Sequence, residues 1–218
     1  LSPLRKRASK ILVLPNGVDL DYFHPNPDVQ RDTDTILFSG KMSYHANISM
    51  VMYLVSEVMP RIWERRPTAR LCIVGKDPAS GIRELEKDPR ITVTGTVNDI
   101  RPYLWRATVS VVPLLYGAGI QNKILEAMAT GTPVVSTSKA LSALQAEAGR
   151  DLLVADTADA FSQAVLRLMN DRDLQMAIGG AGAFYVRTHH NWSSISSRLT
   201  DIYQELLDHQ KLFLNPVQ

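Results

Sequence analysis

The sequence predicts an α/β fold in which helices cover both faces of a parallel sheet. Short apolar runs alternate with segments of helical periodicity about six times along the chain. Glycine follows three of the apolar runs, at Gly40, Gly75 and Gly95, as expected where strands end in tight turns. The 218 residues, 45% hydrophobic and 21% charged, suit one globular domain with its own core.

The apolar runs predict short strands bounded by turn-forming residues. The first run stops at Pro15-Asn16-Gly17, and the run that begins at residue 108 stops at Pro113. The predicted strands span residues 11–14, 35–38, 70–74, 91–94, 108–112, 133–136 and 152–155.

The first predicted helix follows the strand that ends at residue 38. Its apolar residues recur at spacings of three and four, the period of one helix face. Because Pro60 lacks a backbone donor, we expect this helix to break there or to restart with Pro60 in its first turn. The apolar face comprises Ile48, Val51, Met52 and Val55.

Three further helices are expected before residue 132, over residues 82–86, 100–106 and 120–129. Asp99 is the expected N-cap of the second, and Gly131 should end the third.

The chain after residue 155 is predicted to be helical to its end. Gly179, Gly180 and Gly182 predict a weak point there, because glycine disfavours helix interiors. The last helix carries an apolar stripe made of Ile195, Leu199, Ile202, Tyr203, Leu206 and Leu207.

Charge and cysteine content narrow the classes of function. A net charge of +2 gives no argument for a nucleic-acid partner. The single cysteine, Cys72, allows no intrachain disulfide and no thiolate metal cluster, so we expect a buried structural thiol. No apolar run approaches the roughly 18 residues of a membrane span, and no signal peptide is visible, so a cytoplasmic location is expected.

Ligands of open parallel sheets bind at the carboxyl ends of the strands, where Gly40, Gly75 and Gly95 should lie. A single glycine there indicates only a tight turn. Three on one edge favour a ligand cleft, because glycine lets the backbone approach a ligand closely.

Residues 113–129 carry the strongest functional signal. A predicted strand ends, a loop with Gly117 and Gly119 follows, and a helix begins, so exposed backbone N–H groups can bind a phosphate. Lys123 adds a positive charge in the first turn, and the carboxylate of Glu126, one turn further, can accept two hydrogen bonds from a ribose. The alternative is a surface Lys–Glu pair of little energetic value.

This loop does not match a nicotinamide-dinucleotide site. The third glycine of the fingerprint is missing, and the loop follows a late strand. Glu126 lies seven residues past Gly119, whereas the fingerprint places its acidic residue about twenty residues on.

Three Asp-x-Asp patterns, beginning at Asp19, Asp32 and Asp171, imitate a metal-binding motif. All lie in turn-like or loop contexts, and the five histidines show no ligand spacing. We therefore expect no metal site.

Several motifs resemble family-4 glycosyltransferases, retaining enzymes of the GT-B fold in which two Rossmann-like domains face each other across a cleft. Residues 15–19 (PNGVD) resemble the linker that opens their C-terminal domain, and residues 38–42 their first phosphate loop. The most specific match is KILEAMATGTPVV, residues 123–135. GKMSYHANISMV and YGAGIQNKILEAMA are similar to sugar transferases of bacterial exopolysaccharide or exosortase-associated clusters.

The resemblance covers nearly the whole chain and implies how it is divided. Residues 1–34 would be the linker, and residues 35–190 the Rossmann-like domain that binds the nucleotide-sugar. Residues 191–218 would form a helix that packs back toward an N-terminal acceptor-binding domain of the same full-length protein.

The resemblance also implies roles for individual residues. Glu126 matches the ribose-binding glutamate, and Gly119 and Ile120 match the backbone donors to the diphosphate. Lys41 matches a position that is usually arginine and should contact the phosphates, and the backbone of Val97 should contact the base. With the residues of the loop analysis, the predicted nucleotide-binding set is Gly40, Lys41, Val97, Gly117, Gly119, Ile120, Lys123 and Glu126.

Two positions depart from the family pattern. Ala46 stands where the family often has a second lysine, and Ala118 where it often has a glutamate that contacts the donor sugar. Lys123 is expected to supply the missing charge.

The implied function is donor binding in a retaining glycosyltransferase that moves a sugar from UDP or GDP to a glycan or a lipid-linked acceptor, with no further cofactor. The remaining catalytic groups would lie in the missing half, so this chain alone should be inactive. Any peripheral contact with the inner membrane face would also come through that half. Two alternatives stay open: a degenerate nucleotide-binding module, and a GT-B epimerase or phosphorylase.

Overall fold

The computed structural model describes residues 13–117 and 119–214, with side chains through residue 207. Six strands form one parallel sheet in the order β3-β2-β1-β4-β5-β6, with helices packed against it, which confirms the predicted doubly wound α/β class. The strands are β1 (Thr35–Ser39), β2 (Arg70–Val74), β3 (Ile91–Val93), β4 (Val109–Val112), β5 (Val134–Ser136) and β6 (Leu153–Val154).

Helices connect the strands and continue after the last one. They are α1 (His45–Tyr53), α2 (Met59–Arg65), α3 (Ser80–Arg83), α4 (Arg101–Arg106), α5 (Asn122–Ala129), α6 (Ser138–Leu141), α7 (Ala158–Asn170), α8 (Arg172–His189) and α9 (Trp192–Leu214). None of the described helices combines the length and apolarity that a bilayer span requires.

The direction of strand order reverses between β1 and β4, which pair side by side at the centre of the sheet. Ile36 of β1 lies opposite Leu71 of β2 on one side and Val109 of β4 on the other, and all three are fully buried. In doubly wound sheets this reversal opens a crevice at the carboxyl ends of the two strands.

The chain stays helical through Pro60. A π-helical turn, Leu54–Val58, joins α1 to α2, and Pro60 lies in the first turn of α2. The predicted restart at Pro60 is therefore observed, whereas the predicted break is not, because the π-helical turn keeps the backbone helical up to α2.

Gly179, Gly180 and Gly182, the predicted weak point, do not interrupt the helix in which they lie. Helix α8 runs through them without interruption. A Cβ at Gly179 would lie 2.3 Å from the carbonyl oxygen of Gly131, and one at Gly182 would lie 2.9 Å from that of Asp151. Gly179 therefore lets α8 pack closely against the end of α5, and Gly182 lets it pack against the loop before β6.

Local boundaries differ from the predictions at several elements. The predicted helix 82–86 is the helix α3, Ser80–Arg83, followed by a 3-10 turn, Glu84–Lys87, and β6 has two residues instead of the four predicted. Helix α5 begins at Asn122 instead of residue 120, and the short helix α6 was not predicted. Residues 13 and 14 form no strand, while the other half of that predicted run lies outside the described residues.

Arg31 anchors the segment before β1. The polar composition of this segment is typical of a surface loop. The Arg31 guanidinium donates hydrogen bonds to the carbonyl oxygens of Leu104 (3.2 Å), Ala107 (2.8 Å) and Gly131 (3.0 Å), and to Thr132 Oγ1 at 3.1 Å. Burial among these neutral acceptors lowers the pKa of Arg31 to about 10. The segment is therefore bound to the loops that follow α4 and α5.

Replacing Arg31 by lysine should lower the free energy of unfolding by about 2 kcal/mol or more, because one ammonium cannot reach acceptors spread along a planar fork. Urea denaturation measures this loss. Arg65→Lys, at an exposed position of α2, is the matched control. Equal losses in the two variants would show that Arg31 has no anchoring role.

Candidate functional site

A cleft of about 550 Å³ opens at the carboxyl edge of the sheet, where the strand order reverses. Six of the eight predicted nucleotide-binding residues line it: Gly40, Lys41, Val97, Ile120, Lys123 and Glu126. Gly117 and Gly119 do not line it; they shape the loop before α5 with φ of 108° and 91°. Ala118 lies outside the described residues.

The floor of the cleft is made by two loops whose backbones touch. The carbonyl oxygen of Val74 accepts a hydrogen bond from the N–H of Gly40 at 3.0 Å, and that of Lys76 accepts one from Met42 at 2.8 Å. A Cβ at Gly75 would lie 1.7 Å from the carbonyl oxygen of Gly40. Only glycine at position 75 permits this approach.

The side chain of Lys123 lies beneath the loop that follows β1. Its ammonium donates a hydrogen bond of 2.6 Å to Asn47 Oδ1 and lies 4.4 Å from the ring centroid of Phe38. Asn47 in turn donates from Nδ2 to the carbonyl oxygen of Lys41 at 2.9 Å. Burial lowers the pKa of Lys123 to about 8, although Glu126 acts in the opposite direction.

Glu126 lies one turn further along α5 in the same cleft. Burial raises the pKa of its carboxyl group above the usual range, and the charge of Lys123 partly offsets this effect. No hydrogen bond or ion pair joins the two side chains in the described structure, and neither is exposed. The alternative of a solvated surface pair is therefore wrong.

Lys41 is held more loosely than Lys123. Its side chain is more than half exposed, and its ammonium lies 3.9 Å from a carboxylate oxygen of Asp77. An exposed pair of this length constrains the side chain little. Lys41 is therefore free to turn toward a ligand in the cleft.

The wall near Val97 contains residues that sequence reasoning missed. Tyr22 and Phe23, from the segment before β1, reach into the cleft beside Val97. The hydroxyl of Tyr22 donates to Asp99 Oδ1 at 3.1 Å, and the guanidinium of Arg101 lies 4.0 Å from the Tyr22 ring centroid.

The prediction that Asp99 is the N-cap of the following helix is wrong by one residue, because α4 begins at Arg101 and its N-cap is Ile100. Asp99 Oδ1 nevertheless accepts the N–H of Arg101, the first residue of α4, at 2.9 Å. Hydrogen bonds from the Arg101 side chain, above all, lower the pKa of Asp99 to about 2. The carboxylate is therefore ionised at neutral pH, and its oxygen atoms accept hydrogen bonds from Tyr22 and Arg101.

The carboxylates of the Asp-x-Asp patterns serve local structure. Asp19 accepts the N–H groups of Asp21 and Tyr22, both at 3.0 Å. Asp34 pairs with Arg66, and Asp171 caps α8. Within residues 13–117 and 119–207 no cluster of three or more potential metal ligands occurs.

Cys72 lies in β2 and is partly buried. Burial, reinforced by the charge of Asp32, raises the pKa of the thiol to about 11. The group stays protonated at neutral pH, which fits a structural thiol.

Most of the chain matches one known protein family. Residues 33–171 match the family described as "Glycosyl transferases group 1". The chain belongs to this family. The match covers both sides of the cleft, from β1 through α7.

The curated relatives of this chain include bacterial mannosyltransferases. It is 28% identical over 214 residues to the GDP-mannose-dependent alpha-(1-6)-phosphatidylinositol monomannoside mannosyltransferase of Mycobacterium tuberculosis, covering 89% of this chain and 56% of the relative. It is also 28% identical over 210 residues to the phosphatidyl-myo-inositol mannosyltransferase of Mycolicibacterium smegmatis, covering 90% and 52%. The chain thus spans about half the length of these relatives.

Solved GT-B glycosyltransferase structures share its fold. Sucrose-phosphate synthase from Thermosynechococcus elongatus aligns with a TM-score of 0.74 at 24% identity, over 94% of this chain and 56% of that one. HepE of Anabaena, solved in complex with UDP, aligns with a TM-score of 0.76 at 15% identity, over 91% and 58%.

The lowered pKa of Lys123 predicts a pH dependence of stability. Folding favours the neutral amine, so the charged form destabilises the protein below pH 8, and this penalty disappears as the pH rises from about 8 toward 10.5. Relative to Lys123→Met, the wild type should gain on the order of 1–3 kcal/mol of unfolding free energy across that range. Denaturation at pH 7, 8.5 and 10 measures the gain. Lys139→Met, at an exposed site, should show none.

Proposed function

We propose that this chain is the nucleotide-sugar donor-binding half of a retaining glycosyltransferase. One observation carries the proposal: the ammonium of Lys123 is held at the carboxyl edge of the sheet by a neutral amide, with no carboxylate bonded to it. Such a charge is poised to pair with an anion that enters the cleft. The family match shows the glycosyltransferase class, and the donor's nature is inferred from this geometry.

The cleft would receive the diphosphate between Lys41, Lys123 and the start of α5. In sugar transfer the bond between the sugar and the diphosphate breaks, and negative charge builds on the departing phosphate oxygen. Lys123 would stabilise that charge from a fixed position, because Asn47 already holds its ammonium in place. The N–H groups at the beginning of α5 would add to this stabilisation.

Glu126 would bind the ribose. A carboxylate can accept hydrogen bonds from both hydroxyls of the diol. The base would then extend toward Val97, along the wall that Tyr22 and Phe23 complete. UDP and GDP are both candidates: one relative is named for GDP-mannose, and one structural neighbour was solved with UDP.

The acceptor would bind to an N-terminal half outside this sequence. The relatives are about twice as long as the matched region, and α9 offers a surface for that half. Leu199, Tyr203 and Leu206 on α9 are 37%, 59% and 58% exposed, although Ile195 on the same helix is buried. We therefore expect the chain alone to bind nucleotide without transferring sugar.

The finer assignments follow from the family resemblance. Transfer would retain the anomeric configuration and use no metal, and the full protein would act in the cytoplasm, with any contact to the inner membrane face made through the other half. The acceptor would be a glycan or a lipid-linked molecule, with exopolysaccharide synthesis as the setting that the motif resemblance favours.

Ala46 favours one alternative, a nucleotide-binding module without catalysis. Its side chain is buried at the start of α1, where the family often has a cation. Both the enzyme and the non-catalytic module would bind nucleotide, so nucleotide binding does not distinguish them. Sugar transfer by the full-length protein does. A full-length protein that binds donor and transfers nothing would establish the module.

A nucleoside diphosphate should raise the melting temperature of the chain more than the corresponding monophosphate, because only the diphosphate can reach both lysines and the start of α5. A thermal-shift panel of UDP, GDP and ADP with their monophosphates tests this. Lys123→Met should reduce the difference between diphosphate and monophosphate. Equal shifts for both would contradict the phosphate site.

Glu126→Ala should weaken ribonucleotide binding by about 1–3 kcal/mol, the scale of lost hydrogen bonds to a charged group. The 2′-deoxyribonucleotide should lose less, because it already lacks one hydroxyl. Calorimetry with both nucleotides measures the two losses, and Glu64→Ala, at an exposed position of α2, is the control. The same loss for both nucleotides would remove Glu126 from the ribose.

A further inference from the structure

Asn122 is the first residue of α5 and lines the cleft next to Lys123. Its side-chain oxygen Oδ1 accepts a hydrogen bond of 3.2 Å from Nδ2 of Asn16, a residue that lies 106 positions earlier in the chain. Within residues 13–117 and 119–207 no other group is bonded to this amide. Its Nδ2, which carries two hydrogen-bond donors, is therefore available to a ligand in the cleft.

The backbone of Asn16 is held in place by the junction between α8 and α9. Its carbonyl oxygen accepts a hydrogen bond from His190 Nδ1 at 2.7 Å, and the N–H of Val18 donates to the carbonyl oxygen of His190 at 2.8 Å. A Cβ at Gly17 would lie 2.5 Å from the ring of Trp192, so this ring packs directly on the chain next to Asn16. Asn16 therefore reaches the start of α5 from a fixed backbone.

The orientation of the Asn122 amide decides whether it can bind an anion. An asparagine side chain can present either its oxygen or its nitrogen to a ligand, because the two orientations differ by a half turn of the amide group. The oxygen would repel a phosphate, whereas the nitrogen can donate a hydrogen bond to it. When Nδ2 of Asn122 is directed to the phosphate, Oδ1 needs another donor, and Asn16 supplies it.

Lys123 is held in a similar way from a different part of the chain. Its ammonium donates to Asn47 Oδ1 at 2.6 Å, and Asn47 lies at the start of α1. Two consecutive residues of α5, one neutral and one cationic, thus each pair with an asparagine that is distant in sequence. Both line the same cleft, where α5 begins.

We propose that Asn122 donates a hydrogen bond from Nδ2 to the diphosphate of the donor, and that Asn16 is the positioning residue that holds this amide in the required orientation. The inference rests on the proposed function, because it takes the cleft as the donor site. It adds a neutral hydrogen-bond donor to the charge of Lys123. It also connects the diphosphate site to the segment before β1 and, through His190, to the end of α8.

Two substitutions at position 122 separate the nitrogen of the amide from its oxygen. Asn122→Ala removes both atoms, whereas Asn122→Asp keeps an oxygen for Asn16 and replaces the nitrogen by a second oxygen. In calorimetry with UDP or GDP, whichever binds the wild type more tightly, Asn122→Ala should bind about tenfold more weakly, the scale of a hydrogen bond to a charged group. Asn122→Asp should bind more weakly still, because its carboxylate repels the phosphates.

The matched control for these variants is Asn170→Ala. Asn170 is exposed, lies outside the cleft, and also accepts a side-chain hydrogen bond, from Arg66 at 2.6 Å. It should bind the nucleoside diphosphate as the wild type does. The melting temperature without nucleotide shows whether each variant folds.

A double-mutant cycle tests the role of Asn16. Asn16→Ala should weaken diphosphate binding about threefold, the scale of one neutral hydrogen bond. It should have no further effect in the Asn122→Ala background, because the amide that it orients is then absent. A merely structural contribution of Asn16 would lower the affinity by the same factor in both backgrounds, and that result would overturn its positioning role.

The role of Asn122 has its own contrary result. If folded Asn122→Ala and Asn122→Asp bind the nucleoside diphosphate as tightly as the wild type, the proposal is wrong, while the donor site itself stands. A wild-type chain that binds neither UDP nor GDP would instead refute the donor site, and the inference with it.

Discussion

The partly buried ammonium of Lys123 is the constraint around which the cleft is built. It is held by Asn47 and faces the Phe38 ring, so its charge is satisfied by an amide and an aromatic face instead of a carboxylate. The loop after β1 has to leave room for this arrangement. A Cβ at Gly40 would lie 3.0 Å from the Lys123 ammonium and 2.7 Å from Asn47 Nδ2. Glycine at position 40 therefore leaves room for Lys123 and Asn47 beneath the loop.

The helix that carries Lys123 and Glu126 is fixed at its other end. The carbonyl oxygen of Gly131, just after α5, accepts a hydrogen bond from Arg31 and lies against Gly179 of α8. The segment before β1 and the C-terminal helices thus position the same helix end from two sides. Because α5 is only eight residues long, its own hydrogen bonds give it little stability, and these tertiary contacts determine where Lys123 and Glu126 lie.

Much of this could be predicted from the sequence. Apolar runs bounded by glycine and proline located the six strands, because strands buried on both faces have few other compositions. The shared position of Lys123 and Glu126 in the cleft could be predicted because a spacing of three on a helix places two side chains on one face. Asn47, Arg31, Tyr22 and Phe23 were missed because their partners lie far away in sequence: Asn47 is 76 residues from Lys123. Gly179 was misjudged for the same reason, since a glycine that weakens an isolated helix becomes favourable where another backbone packs against it.

We propose that the Lys123 ammonium pairs with the diphosphate of a bound nucleotide. With a pKa of about 8, the side chain is roughly half protonated at pH 8, and the negative charge of a bound nucleoside diphosphate should raise that pKa and draw in a proton. Calorimetry of nucleoside diphosphate binding at pH 8, in buffers of different ionisation enthalpy, measures the protons taken up. The wild type should take up roughly half a proton per nucleotide, and Lys123→Met close to none. Binding without proton uptake by the wild type, or with equal uptake by the variant, would contradict the account.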